Sequence, residues 1–169
     1  MNVKIFNKNN VSIFYEKENL ISFFIAIVIF IADRISKVEI INTLSNSKVL
    51  YINNYINFDL VWNTGIGFGL LSSESNLIYN SITLVIAIVI IFLIYLISRQ
   101  NFFDKILFSL ILGGAIGNFY DRLVYFAVPD FIDIHYNNFH WFTFNIADIF
   151  ITLGVISFLG HGLFVKENK

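Results

Sequence analysis

The chain has 169 residues, enough for one domain, and a formal net charge of -1. Hydrophobic residues make up 57% and charged residues only 14%, where a soluble domain carries about 25% charged, and the mean hydropathy is +0.72. This composition describes an integral membrane protein; no basic patch supports nucleic-acid binding, and the lack of cysteine excludes disulfides, thiolate metal sites and a cysteine nucleophile.

Residues 1–19 mix both charge signs. The apolar run LISFFIAIVIFIA (Leu20–Ala32) follows, then DRISK. Thirteen residues fall short of the roughly 20 that cross a bilayer, so the first span is read as 19–37, with Asp33 in its last turns. Charges rather than a small-x-small site follow the apolar core, which argues against a cleaved signal peptide. Further on, Ile56, Phe58, Leu60 and Trp62 alternate with Asn57, Asp59 and Val61, the period of a strand with one apolar face. Asn63-Thr64-Gly65 is a turn signal. Gly65, Gly67 and Gly69 then alternate with Ile66, Phe68 and Leu70, which predicts extended or closely packed chain. Segment 49–71 is therefore expected to form a small β-rich subdomain at the membrane face. Further spans are expected at 77–98, which holds no charge, at 106–122 and at 144–165. The predicted fold is an all-α membrane protein, with four transmembrane helices, a small extracytoplasmic β-rich cradle and one domain over 1–169.

With the N-terminus inside, the inner segments hold seven cations (Lys4, Lys8, Lys17, Arg99, Lys105, Lys166, Lys169) and the outer ones four (Arg34, Lys37, Lys48, Arg122). That bias places both termini in the cytoplasm. The outer ends of the spans then carry Asp33 and Lys37, Asn118, Asp121 and Arg122, and Asn145 and Asp148. The β-rich segment and the Asp130 loop share that side, so the polar residues converge on one face of the bilayer.

Asp130 and Asp148 bound the stretch VPDFIDIHYNNFHWFTFNIAD. Two carboxyls held close cannot both ionise, so one can serve as acid while the other acts as base. Asp148 falls in the first turn of its helix, and Pro129 restricts the backbone ahead of Asp130. Spacing alone equally allows a helix-end charge and a loop residue. Asp133 competes with Asp130; it reads more readily as a solvated or Lys-paired surface carboxylate. Gly113 and Gly117, spaced small-xxx-small, read as a helix-packing contact. Asn118 and Arg122 share a helix face with Asp121 adjacent, either as a polar shelf for substrate or a catalytic Asp, or as a satisfied helix end. Asp33 and Lys37 read as an i, i+4 ion pair, Asn63 as a turn former and Asn145 as an N-cap. His135 and His140 are five apart, not i, i+4, and no HExxH occurs, so a metal site is not expected there; one from Asp130, Asp133 and His135 has weak support. Trp141, Phe142 and Phe144 read as interfacial anchors. A small proton- or solute-conducting protein is the alternative, but the carboxylates gather at one interface and no repeat is present.

Together these motifs resemble the bacterial lipoprotein signal peptidases (signal peptidase II). DRISK resembles the family's Asp-x-x-x-Lys, NTGIGFG its Asn-x-Gly-x-x-Phe, and GGAIGNFYDR its Gly-Gly-Ala-x-Gly-Asn-x-x-Asp-Arg. VPDFID and FNIAD resemble the two segments carrying its catalytic aspartates. The resemblance implies an aspartic endopeptidase that cuts a prolipoprotein before a diacylglyceryl-modified cysteine. Asp130 and Asp148 would be the dyad, with Asp33, Lys37, Asn63, Asn118, Arg122 and Asn145 in supporting or substrate-binding roles. It further implies residence in the bacterial inner membrane with the site toward the outer leaflet, contact with membrane lipid, inhibition by globomycin, and no cofactor or metal. The chain departs from the family pattern at Ile66-Gly67, where Ala-Ala is frequent, at Phe126, where glycine is usual, and at Pro129, where an aliphatic residue is common.

Overall fold

The structure is a computed structural model and describes residues 16–44, 49–65, 76–137 and 139–167. Among the described residues four helices, α1 (Lys17–Leu44), α2 (Asn76–Ile97), α3 (Phe102–Val124) and α4 (Ile146–Glu167), carry four strands: β1 (Val49–Tyr51), β2 (Ile56–Asn63), β3 (Val128–Tyr136) and β4 (Phe139–Phe144). All four helices are long and apolar enough to cross a membrane. The strands form one antiparallel sheet in the order β1-β2-β3-β4.

Helix α3 is the centre, packing against each of the other three. Its glycines make that possible. A Cβ on Gly113 would stand 2.6 Å from the Ala26 carbonyl oxygen of α1, and one on Gly114 would stand 2.5 Å from that of Ala147 in α4. Close backbone approach takes the place of the hydrophobic effect, which does not act between helices in lipid. Around this contact Ala26, Leu93, Ile97, Phe108, Leu112 and Ala115 form the buried core. Leu84, Val85, Ile88, Ile91 and Phe92 of α2 lie exposed, as lipid-facing residues do.

Three boundaries differ from the sequence reading. Helix α1 continues past residue 37 to Leu44, because Lys37 is neutralised inside the protein, and Ile40 and Leu44 pack on Phe131 of the sheet. Its 28 residues extend about 42 Å at 1.5 Å per residue, more than the hydrocarbon thickness of about 30 Å. Helix α3 begins at Phe102, where Asn101 caps it by accepting from the Asp104 amide. The region around Asp130, expected as a loop, is the β3–β4 hairpin, and Phe144 ends β4 rather than opening the last helix. Strand β2 forms where expected, but its burial does not alternate: residues 56–60 are half-buried and Val61 and Trp62 are exposed, with a register shift between Phe58 and Val61; residues 66–71 of the predicted β-rich segment, with Gly67 and Gly69, lie outside the described residues, as do Lys4, Lys8, Lys48 and Lys169.

Candidate active site

Two carboxylates come together where the sheet meets the helices, each bonded to Asn145. Asp130 projects from β3 and is 2% exposed. Asp148 stands in the first turn of α4, where the helix dipole favours negative charge. Asn145 joins them. As the N-cap of α4, its side-chain oxygen accepts from the Asp148 amide at 3.1 Å, and Asp148 Oδ2 accepts from the Asn145 amide at 3.2 Å. This reciprocal capping satisfies two donors that a helix start otherwise leaves open. The same asparagine donates from Nδ2 to Asp130 Oδ1 at 2.5 Å.

Two more asparagines complete the cradle. Asn63 Nδ2 donates to Asp130 Oδ2 at 2.9 Å, while Asn63 Oδ1 accepts from the Gly65 amide at 2.9 Å. The turn anticipated from the sequence thus sets which end of the Asn63 amide faces the carboxylate. Asn118 Nδ2 donates to Asp148 Oδ1 at 2.8 Å, and Asn118 Oδ1 accepts from Lys37 Nζ at 2.9 Å. Each of the four carboxylate oxygens therefore accepts a hydrogen bond from an uncharged N–H.

Behind the asparagines lies a buried charge cluster. Lys37, fully buried, donates to Asp33 Oδ2 at 2.8 Å and Asp121 Oδ2 at 2.7 Å. Asp121 also pairs with Arg34, whose guanidinium lies 4.9 Å from the Tyr120 ring centroid. Asp33 Oδ1 accepts from the Ala147 amide at 3.0 Å, one residue before Asp148. Asp33 and Lys37 are thus more than the expected helix-end pair: they hold Asp148 from two sides, through Asn118 and through Ala147. Arg122 donates from Nη2 to the Gly65 carbonyl at 2.7 Å and from Nη1 to the Asn118 carbonyl at 3.1 Å. Arg122 thus ties the Asn63–Gly65 turn to the end of α3.

Burial raises the Asp130 pKa to about 6, and the neighbouring Asp148 charge adds to the rise; the Asn63 and Asn145 bonds and the Lys37 charge oppose it. Beside Asp148 opens a groove of about 270 Å³, lined by Ile134, Phe142, Phe144, Ile149, Thr152 and Leu153.

All eight residues named from the sequence gather here. Asp121 was not among them, although it is fully buried and joins Lys37 to Arg34. The signal was its position three after Asn118 on the same helix face. Gly117 was assigned to helix packing, yet a Cβ there would strike the Asp33 carboxylate. Asp133 is not the solvated or Lys-paired carboxylate anticipated. It is 3% exposed and its hydrogen bond is with His140, at 2.7 Å. His135 and His140, set aside as metal ligands because they lie five apart in sequence, are direct cross-strand partners in the β3–β4 hairpin.

Residues 25–164 match the family model described as signal peptidase (SPase) II. The lipoprotein signal peptidase of Pelagibacter ubique is 46% identical over 165 residues, covering 96% of each chain. That of Francisella tularensis subsp. mediasiatica is 42% identical over 154 residues, covering 87% of this chain and 94% of its own. A bacterial membrane enzyme solved by the in meso method superposes with a TM-score of 0.78 at 30% identity, over 88% of this chain and 90% of the other. The chain therefore belongs to the signal peptidase II family, a family of proteases, and is a multi-pass bacterial membrane protein.

Proposed function

We propose that this protein is an aspartic endopeptidase that removes the signal peptide from diacylglyceryl-modified prolipoproteins, cutting before the lipidated cysteine. Asp130 and Asp148 are the catalytic pair. The observation that carries this reading is the pair itself: two adjoining carboxylates with every oxygen oriented by a neutral donor. In such a pair one carboxyl keeps its proton to a higher pH than the other, and the two titrations belong to the pair rather than to either residue.

The chemistry follows from that shared proton. The ionised carboxylate takes a proton from a water held between the two, and the water oxygen attacks the scissile carbonyl. The protonated carboxyl donates to the carbonyl oxygen as it gains charge. The first carboxyl then gives its proton to the leaving amine nitrogen while the second takes one back from a hydroxyl of the tetrahedral diol; the carbonyl reforms, the C–N bond breaks and the pair is restored. Asn63, Asn118 and Asn145 hold the carboxyls in register; Lys37 and Arg122 hold Asn118, and Asp33 holds Lys37 and the Ala147 amide.

The membrane supplies much of the affinity. The substrate's acyl chains stay in the bilayer, which contributes about 0.8 kcal/mol per buried CH₂. The apolar groove beside Asp148 suits a hydrophobic signal-peptide segment. Both termini lie in the cytoplasm and the carboxylates face the outer leaflet, in line with the Lys and Arg bias of the segments. Globomycin is the expected inhibitor.

The test is cleavage of a prolipoprotein in detergent, with and without the diacylglyceryl group and with and without globomycin. Cleavage of the lipidated form alone, blocked by globomycin and abolished in folded Asp130→Asn and Asp148→Asn, is expected. Cleavage at the wild-type rate by either folded variant refutes the dyad.

A further inference from the structure

The β3–β4 hairpin assembles a second cluster, separate from the carboxylate pair. Asp133 lies three residues beyond Asp130 on β3, an offset that turns a strand side chain to the opposite face. His135 follows two residues later, and His140 of β4 is its cross-strand partner. One ligand atom from each of Asp133, His135 and His140 falls within a group no more than 4.8 Å across. The two imidazoles stack with centroids 5.3 Å apart and planes 23° from parallel. Both present Nδ1 to the same oxygen, Asp133 Oδ2, at 3.8 Å from His135 and 2.7 Å from His140.

A hydrogen bond between His140 and Asp133 accounts for only part of this. His135 is 8% exposed, and its Nδ1 is buried with no hydrogen-bond partner among the described residues. Directly across the ladder from Asp133 stands Asn57, on the same face. Its side-chain oxygen is also buried without a partner among the described residues. Bare buried acceptors of this kind cost free energy unless something fills them.

We propose that Asp133, His135 and His140 form a binding site for a divalent first-row transition ion, Zn²⁺ above all, with Asn57 as an oxygen donor beside it. The donor set is right for that class: imidazole with carboxylate suits zinc, whereas magnesium and calcium take oxygen ligands. Tetrahedral zinc with bonds near 2.0–2.1 Å sets its ligand atoms about 3.3 Å apart, and the two histidine-to-carboxylate separations here, 2.7 and 3.8 Å, lie one on each side of that value. The ion moves His140 back and draws His135 in by about half an ångström each. The His140 side chain is 57% exposed, which gives the ion a path from solvent and leaves a position open for water. The bound ion ties β3 to β4 across the hairpin that carries Asp130.

The test uses the full-length protein in detergent, freed of any affinity tag and stripped with chelator, then titrated with Co²⁺ and Zn²⁺. One Co²⁺ per chain, with the visible absorption of a tetrahedral site and displacement by Zn²⁺, is expected. His140→Ala, whose exposed ring can be removed without disturbing the core, weakens binding at least tenfold, as does Asp133→Asn. His161→Ala and Asp148→Asn leave it unchanged. Absence of binding, equal affinity in His140→Ala, or loss of binding in Asp148→Asn overturns the proposal; the last result assigns the ion to the carboxylate pair. None of these readouts depends on peptidase activity.

Discussion

Replacing Lys37 by methionine tests the scaffold behind the carboxylates. The ammonium spends its three protons on Asp33, Asn118 and Asp121, at 2.8, 2.9 and 2.7 Å. Lys37, Asp33 and Asp121 are all 0% exposed. With Arg34 on Asp121, the cluster of two carboxylates and two cations is neutral. Methionine keeps the volume and removes one positive charge, leaving a buried negative charge unpaired. Breaking a buried pair in this way costs about 3–5 kcal/mol.

The functional loss comes by a different route. Without Nζ nothing holds the Asn118 oxygen, so its amide no longer presents Nδ2 to Asp148; Asp33 also shifts and slackens its bond to the Ala147 amide. Partners one layer behind a site typically cost about 10–100-fold when lost. The assay pairs an unfolding midpoint in detergent with the turnover number on lipidated prolipoprotein. The double variant Lys37→Met, Asp33→Asn restores neutrality and so recovers stability, but not turnover, because Asn118 stays unanchored. Lys37→Arg does not rescue either, since a planar fork cannot donate to three acceptors arranged around one ammonium. A Lys37→Met protein within 1 kcal/mol of wild type, a bound set well below the 3–5 kcal/mol range, and with unchanged turnover would refute this account.

Three further outcomes follow from single observations. Asp130, whose pKa rises from 3.8 to about 6 on folding, contributes stability that is fully present below pH 4 and is lost as pH rises through 6; the wild type should therefore lose about 3 kcal/mol over that window relative to Asp130→Asn, read by denaturation at each pH. Phe126 has a φ of 56° and is 71% exposed, so Phe126→Gly should raise stability by about 1 kcal/mol and leave cleavage within about twofold. Gly117→Ala drives a methyl into the Asp33 carboxylate, whereas a Cβ at Gly160 meets nothing within 4 Å; the first should cost about 1–3 kcal/mol and at least tenfold in turnover, the second neither.

The spans were legible because hydrophobicity over some twenty residues is a local property. Their ends were less so wherever a distant residue decides them. Lys37 reads as a helix terminus until Asp121, 84 residues away, is seen to neutralise it. The β3–β4 hairpin was hidden for a related reason. In VPDFIDIHY the first four residues are all buried, and beyond them the buried positions are Asp133 and His135 while Ile132 and Ile134 are half-buried, so polarity runs opposite to burial and does not mark the inner face. The histidine cluster then escaped, since a separation of five residues fails the helical rule and becomes meaningful only across a hairpin. The departure at Phe126, by contrast, has a local cause. Its left-handed backbone is the conformation that glycine adopts without cost, which accounts for glycine being usual there.

The identity of the donors around the pair carries the last step. Lysine or arginine on Asp130 or Asp148 would orient a carboxylate as well as an asparagine does, but a cation at hydrogen-bond distance favours the ionised form and drives the shared proton off. Asparagine fixes geometry at a much smaller electrostatic cost. Its oxygen can be tied down elsewhere, to Gly65, to the α4 amide or to Lys37, so that the nitrogen has one direction to point. The cations are kept one layer back, with Lys37 on Asp33 and Asp121 and Arg122 on backbone carbonyls. A pKa near 6 at Asp130, despite two hydrogen bonds to its oxygens, is what that separation predicts. On this argument Asn63→Lys should fold, place a cation on Asp130 and shift the pH optimum for cleavage downward, whereas Asn63→Gln should lower turnover without moving the optimum.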